Sequence, residues 1–100
     1  MVTPTFLDQG EIAIATWIGE TGNGGAVAMA RWADKTIQST GTGTVTVEGS
    51  SDGTNWDTCT TTPAVVTANS DTALVNENPL LLRVVCAGGT QTVTIVGVRS

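Results

Sequence analysis

Short runs of β-branched residues, separated by turns rich in glycine, asparagine and aspartate, are the feature that most limits the folds open to this chain. Thr, Val and Ile together account for 36 of the 100 residues. β-Branched side chains favour extended backbone, whereas leucine and lysine, which support helical bundles, are scarce here. The pattern predicts an all-β fold, an antiparallel β-sandwich of jelly-roll-like form with about eight short strands.

The length of the chain is enough for one domain and too short for two. The first nine residues show no clear period, so we expect residues 1–10 to form an N-terminal arm or lead-in. Residues 11–100 are then expected to form a single β-sandwich domain.

Period-two alternation predicts where the strands lie and which way their side chains point. In Thr44–Gly49, Val45 and Val47 point to one side of the sheet and the polar residues to the other. The Asp52-Gly53 pair that follows is typical of a tight hairpin turn. Further strands are predicted at Ala26–Trp32, Lys35–Ser39, Trp56–Thr60, Thr72–Val75, Leu80–Ala87 and Gln91–Arg99. For Ala26–Trp32 a short helix is the alternative, because alanine and methionine favour helix.

The segment Glu11–Ile18 is apolar on both of its faces, which is typical of a strand covered on both sides. A neighbouring subunit is one way to cover the second face, and aromatic residues are enriched in such interfaces. The candidate interface residues are Phe6, Leu7, Ile12, Ile14 and Trp17. The alternative is that these side chains plug one end of their own sandwich.

Charge and composition remove several classes of function. The net charge is −5, and the basic residues are scattered, so neither nucleic acid nor an anionic membrane is an expected partner. The chain contains no histidine or tyrosine, which leaves no Ser-His or Cys-His nucleophile pair. The carboxylates are dispersed and lack the pairing that a glycosidase needs. We expect no enzyme activity and no cofactor.

Few residues in the sequence are candidate metal ligands. Asp52, Asn55 and Asp57 offer oxygen atoms to calcium, but their spacing does not match an EF-hand loop, and we expect no metal site. Cys59 and Cys86 are expected to be small apolar core residues, with a disulfide as the alternative. The N-terminus lacks the basic start and apolar stretch of a signal peptide, and no apolar run is long enough to span a bilayer.

Two stretches of the sequence, taken in order, resemble a known family. The first is Trp32–Gln38 (WADKTIQ) followed by Val45–Trp56 (VTVEGSSDGTNW). The second is Glu77–Arg83 (ENPLLLR) followed by Gly88-Gly-Thr and a final strand. Over residues 20–99 the chain resembles the small β-sandwich capsid decoration (cement) proteins of tailed bacteriophages.

The resemblance implies a non-enzymatic structural role. It implies binding to the outer surface of a capsid, with the major capsid protein as partner, and stabilisation of the shell by bridging neighbouring capsomers. It also implies a homo-oligomer, most often a trimer, which is made in the host cytoplasm and located in the virion. Two other hypotheses remain open. One is a discoidin-like carbohydrate-binding module for host adhesion, suggested by the hairpin Val47–Trp56, and the other is a tail or neck component.

Overall fold

The computed structural model describes residues 1–59, 65–67, 72–75 and 79–99. Within these ranges the fold is all-β and every strand pair is antiparallel, so the predicted fold class is confirmed. No helix among the described residues is long and apolar enough to cross a membrane. The described strands number nine, against about eight expected: β1 Thr5–Asp8, β2 Ile12–Glu20, β3 Asp34–Gly41, β4 Thr44–Ser50, β5 Asp57–Thr58, β6 Val65–Thr67, β7 Thr72–Val75, β8 Leu81–Ala87 and β9 Gln91–Val98.

The strands form two sheets that enclose the core. The first sheet has five strands in the order β1-β2-β9-β3-β7. In the second sheet, β4 is central and pairs with β8 along its whole length, while β5 and β6 share its other edge. The free edge of β8 is covered by residues 22–27, which form bridges at Asn23 and Val27 and several backbone hydrogen bonds. The central strands of both sheets are thus paired on both edges.

The core lies between the inner faces of the two sheets. Val45 and Val47 on β4 face Ile37 and other aliphatic side chains of the first sheet, as their period-two spacing predicts. Three bulky side chains occupy much of the interior. They are Trp17, Met29 and Trp32.

The structure corrects two predicted elements. Ala26–Trp32 is not a strand, because the N–H of Trp32 bonds to the carbonyl of Met29 and turns the chain so that both side chains enter the core. The N-terminal arm is not irregular, because its residues 5–8 form β1 and pair with β2. The predicted return strand after Trp56 is described only as β5, and its end at residue 60 lies outside the described residues, as does most of the turn at 77–79.

The hairpin after β4 has the turn geometry that Asp-Gly predicts. Gly53 has a φ of 78°, in the left-handed region. Its N–H donates to the Ser50 hydroxyl at 2.8 Å, and the N–H of Asp52 donates to the same oxygen. A β-branched residue at position 53 would therefore be strained by its backbone.

Substituting Gly53→Val is expected to lower the free energy of unfolding by about 1–2 kcal/mol. Gly53→Asn provides the matched control, because asparagine tolerates the left-handed region and should cost clearly less. Urea denaturation of the three proteins measures the difference. Equal stability of Gly53→Val and the wild type would contradict the strained turn.

Candidate assembly surface

Strand β2 directs its alanines into the core and its isoleucines outward, the opposite of what hydrophobicity alone predicts. Ala13, Ala15 and Trp17 point into the core and are fully buried. Ile12 and Ile14 point to the outer face of the first sheet, away from the core. The two-faced character that the sequence predicts for this segment is therefore present, with the isoleucines on the outside.

The register of the first sheet gathers these isoleucines with other aliphatic residues. Leu7 on β1 pairs with Ile14, and Ile14 pairs with Val96 on β9. Ile12 pairs with Val98 in the neighbouring row. Directly paired residues of antiparallel strands share a face, so the five side chains form one contiguous group. We name Leu7, Ile12, Ile14, Val96 and Val98 the aliphatic patch.

The aliphatic patch is open to solvent over much of its area. Leu7 is 50% exposed, Val98 42% and Ile12 40%, while Ile14 and Val96 are partly covered by their neighbours. Single exposed apolar side chains are ordinary on soluble proteins, whereas these five lie side by side in one contiguous group. The patch is the candidate functional site of this chain.

The outer face around the patch is almost free of charge. Thr5, Thr16 and Thr94 pair in a row beside the aliphatic residues, and further polar but neutral residues continue along β3 and β9. Among the outward-facing residues of the described strands β1, β2, β9 and β3, the one ionisable side chain is Asp34, at the end of β3. Asp34 pairs with Val98 of the patch, so this face carries one charge, which is little for a chain with a net charge of −5.

Two residues predicted at an interface have other roles in the structure. Trp17 is a core residue of its own chain, because its side chain lies on the inner face of β2, and its indole Nε1–H donates to the Gly25 carbonyl at 2.9 Å. Phe6 lies on the opposite side of β1 from Leu7 and packs edge-on against Trp32, with ring centroids 5.8 Å apart. The structure therefore brings Leu7, Ile12 and Ile14 together and places Trp17 and Phe6 elsewhere.

Glu20 is a fully buried carboxylate, and no sequence pattern marks it as special. It accepts the N–H of Val2 at 2.7 Å on one oxygen and those of Thr21 and Gly22 at 3.0 Å on the other. Burial disfavours the charged form, but these three bonds outweigh it, and the pKa of Glu20 is lowered. The N–H of Gly25 donates to the Val2 carbonyl, so the N-terminal segment is fixed to the sandwich at this point.

On the second sheet, the hairpin and β8 form a polar cluster. The Arg83 guanidinium bonds Glu48 at 2.7 Å and lies 4.3 Å from the centre of the partly exposed Trp56 ring. This cluster connects the two stretches that carry the family resemblance, since Glu48 and Trp56 belong to the first and Arg83 to the second. An ion pair and a stacked cation fix the hairpin against β8.

Of the residues that offered oxygen atoms to calcium, Asp52 is already engaged in hydrogen bonds within the turn. The Asp52 carboxylate accepts the N–H groups of Thr54 and Asn55 and the Asn55 side-chain amide, and these bonds hold the pKa of Asp52 well below its usual range. A cavity of about 410 Å³ adjoins this turn, with Asp57, Thr58 and Cys59 in its lining. Among the described residues, no three of the His, Cys, Asp and Glu side chains cluster as metal ligands.

Both cysteines are buried, as predicted, and they are not joined in a disulfide. Cys86 pairs with Val45 at one edge of β4, whereas the N–H of Cys59 bonds to Val47 at the other edge. Two strand spacings separate their Cα atoms by about 10 Å, beyond the ~7 Å limit for a disulfide. Burial, together with the nearby Glu20 charge, raises the pKa of the Cys86 thiol to about 11, so it stays protonated near neutral pH.

Comparison with known proteins supports the fold class. No family model and no curated protein sequence matches the chain. A cupin domain from Bordetella pertussis is similar in structure, with a TM-score of 0.57 and 15% sequence identity, over 97% of this chain and 92% of that one. The protein NMB1881 from Neisseria meningitidis is similar over 94% of this chain and 82% of that one, with a TM-score of 0.50 and 16% identity. The chain thus has a cupin-like, jelly-roll-like β-sandwich fold.

Proposed function

We propose that the chain is a non-enzymatic structural protein of a bacteriophage particle, which binds the outer surface of the capsid and bridges neighbouring capsomers. The observation that carries the proposal is the aliphatic patch on a sheet face with a single charged side chain, which suits a protein that works by burying surface. The resemblance of two stretches to capsid decoration proteins is the reason for proposing a bacteriophage capsid as the partner. Part of each stretch lies on the second sheet, where β4 from the first stretch pairs with β8 from the second.

The energy available from the patch indicates how such a protein would act. Burying about 200 Å² of aliphatic surface contributes roughly 5 kcal/mol before the cost of association. That is a weak contact for one copy, since association itself costs several kcal/mol. Many copies on a closed shell multiply such contacts, so the shell state that binds the protein is stabilised by mass action.

Cosedimentation with shells of the phage that encodes the chain, assembled without it, tests this function. Wild-type protein at micromolar concentration is expected to sediment with the shells and to saturate at a fixed ratio to the major capsid protein. Decorated shells should also resist heat better than bare ones. An unrelated acidic protein of similar size is the control for nonspecific adhesion. Absence of binding, or equal heat resistance of bare and decorated shells, would refute the proposal.

A carbohydrate-binding role has less structural support. Trp17 and Trp32 lie in the core, and Trp56 has one face of its ring stacked on Arg83. A glycan array distinguishes the two roles, since saturable sugar binding that depends on Trp56 would favour the adhesion module over the capsid protein.

A further inference from the structure

We propose that the sandwich interior binds one internal water molecule between the side-chain oxygen of Gln91 and the carboxylate of Glu20. We name the space between these two side chains the Gln91 site. The inference is independent of the capsid role proposed above, because the site lies inside the fold and the aliphatic patch lies outside it. It is carried by an acceptor without a partner, by a second acceptor directly opposite, and by the loops that close the site.

Gln91 is a buried side chain whose orientation is fixed. It is 1% exposed, and its Nε2–H donates to the Thr42 carbonyl at 2.6 Å. Turning the amide over would set its oxygen against that carbonyl, so Oε1 is the atom that faces away from it. Within the described part of the chain, Oε1 of Gln91 is a buried side-chain atom that has no hydrogen-bond partner. Buried acceptors are nearly always satisfied, either by the protein or by ordered water.

Glu20 places a second acceptor opposite the first. Glu20 on β2 pairs with Gln91 on β9, and both side chains are buried, so their Cβ atoms lie about 5 Å apart. The Glu20 carboxylate is ionised near neutral pH, and its three backbone N–H donors use three of about four lone-pair positions. Two acceptors cannot bond each other. A water molecule supplies the two O–H donors that connect them.

Cys86 offers a third partner to the same water. It is buried on the inner face of β8, and burial, together with the charge of the nearby Glu20, raises the pKa of its thiol to about 11. The thiol therefore keeps its proton, which makes it a weak donor to the water oxygen. Three partners are the usual number for a buried water. A calcium or magnesium ion takes six or more oxygen ligands, whereas Gln91 and Glu20 supply two side chains with oxygen.

The loops at this end of the sandwich close the site. Thr42 lies against Gln91, because its carbonyl accepts the Gln91 amide and its Oγ1 accepts the N–H of Thr90. A Cβ atom at Gly89 would clash with Thr42, so the two loops are in close contact. On the other side, the N-terminal segment is fixed by Glu20. A water at this position exchanges with solvent only when these loops open, so it stays far longer than a surface water.

Oxygen-17 relaxation dispersion of the solvent counts long-lived internal waters and tests the inference on the purified chain. The wild type is expected to hold one more such water than Gln91→Met, which keeps the length of the side chain and removes Oε1. Gln38→Met is the matched control, because Gln38 is exposed on β3 of the same sheet and its replacement should leave the count unchanged. Circular dichroism verifies that each variant is folded. Equal counts in the wild type and in folded Gln91→Met would overturn the inference.

Glu20→Gln gives a second test if Gln91→Met does not fold. Its side-chain amide can donate directly to Oε1 of Gln91, so the bridging water is expected to leave. Nuclear Overhauser contacts between water and the Gln91 amide protons should be present in the wild type and lost in Glu20→Gln. Their absence from the wild type, or equal strength in both proteins, contradicts the inference. A Tm that changes with the identity of the monovalent cation at fixed ionic strength would assign the site to an ion and would also overturn it.

Discussion

Replacing Glu20 with alanine is expected to lower the free energy of unfolding by about 2–4 kcal/mol, because three backbone N–H groups lose their acceptor at once. The donors are those of Val2, Thr21 and Gly22, and the carboxylate they surround is fully buried. Hydrogen bonds to a charged acceptor are stronger than neutral ones. Urea denaturation at pH 7 measures the loss.

Glu20→Gln removes the charge of the side chain but keeps its shape. The pH dependence of the free energy of unfolding then shows whether the charged form stabilises the fold. The pKa of Glu20 is lowered on folding from its ordinary value of 4.5. Its stabilising contribution is therefore complete above about pH 4.5 and is lost as the pH falls through the lower pKa of the folded state. The stability gap between wild type and Glu20→Gln should be largest at neutral pH and should narrow in acid below pH 4.5.

Glu11→Gln is the matched control, since Glu11 is exposed in the turn between β1 and β2. It should change stability by less than about 0.5 kcal/mol at any pH. Hydrogen exchange adds a local measurement, because the amides of Val2 and Gly25 should lose protection in Glu20→Ala before the core strands do. A Glu20→Ala protein as stable as the wild type would show that water replaces the carboxylate without cost.

The sequence was sufficient to predict the strands and faces that follow from period-two alternation. The shared face of Val45 and Val47 on β4 was predicted correctly, as was the Asp-Gly turn, because each depends on residues close together in the chain. Strand β1 was missed, since four exposed residues become a strand only through pairing with β2. The role of Glu20 was missed for a similar reason, because its partner Val2 lies 18 residues away.

The candidate site shows what period-two alternation predicts and what it cannot predict. Alternation on β2 correctly grouped Ile12 with Ile14, but it does not tell which of two apolar faces is buried. Hydrophobicity alone would bury the isoleucines and leave the alanines outside. The structure does the opposite, because bulky side chains from elsewhere, Met29 and Trp32 among them, fill the space above the small residues on the inner face of the sheet. That choice depends on packing between distant segments.

Trp17→Ala distinguishes most clearly between Trp17 as a core residue of its own chain and Trp17 as an interface residue. As a fully buried residue, Trp17 should contribute about 3–5 kcal/mol to stability, with a further loss from the unpaired Gly25 carbonyl. For a domain whose total stability is about 5–15 kcal/mol, this corresponds to a fall in Tm of roughly 15–30 °C or to loss of cooperative folding. Ile18→Ala is the matched control, since the Ile18 side chain, next to Trp17 in the chain, is 64% exposed and should matter little to stability.

A second variant keeps the prediction testable if Trp17→Ala does not fold. A Cβ atom at Gly24 would lie 2.6 Å from Cδ1 of Trp17 and 2.7 Å from its Nε1, so Gly24→Ala should displace the ring and cost about 1–3 kcal/mol. With Trp17→Phe, which removes the Nε1 atom, the same Gly24→Ala change should cost less, and the double-mutant cycle measures this coupling. If Trp17→Ala instead retained its Tm and lost only self-association, Trp17 would be an interface residue, as its sequence context first suggested.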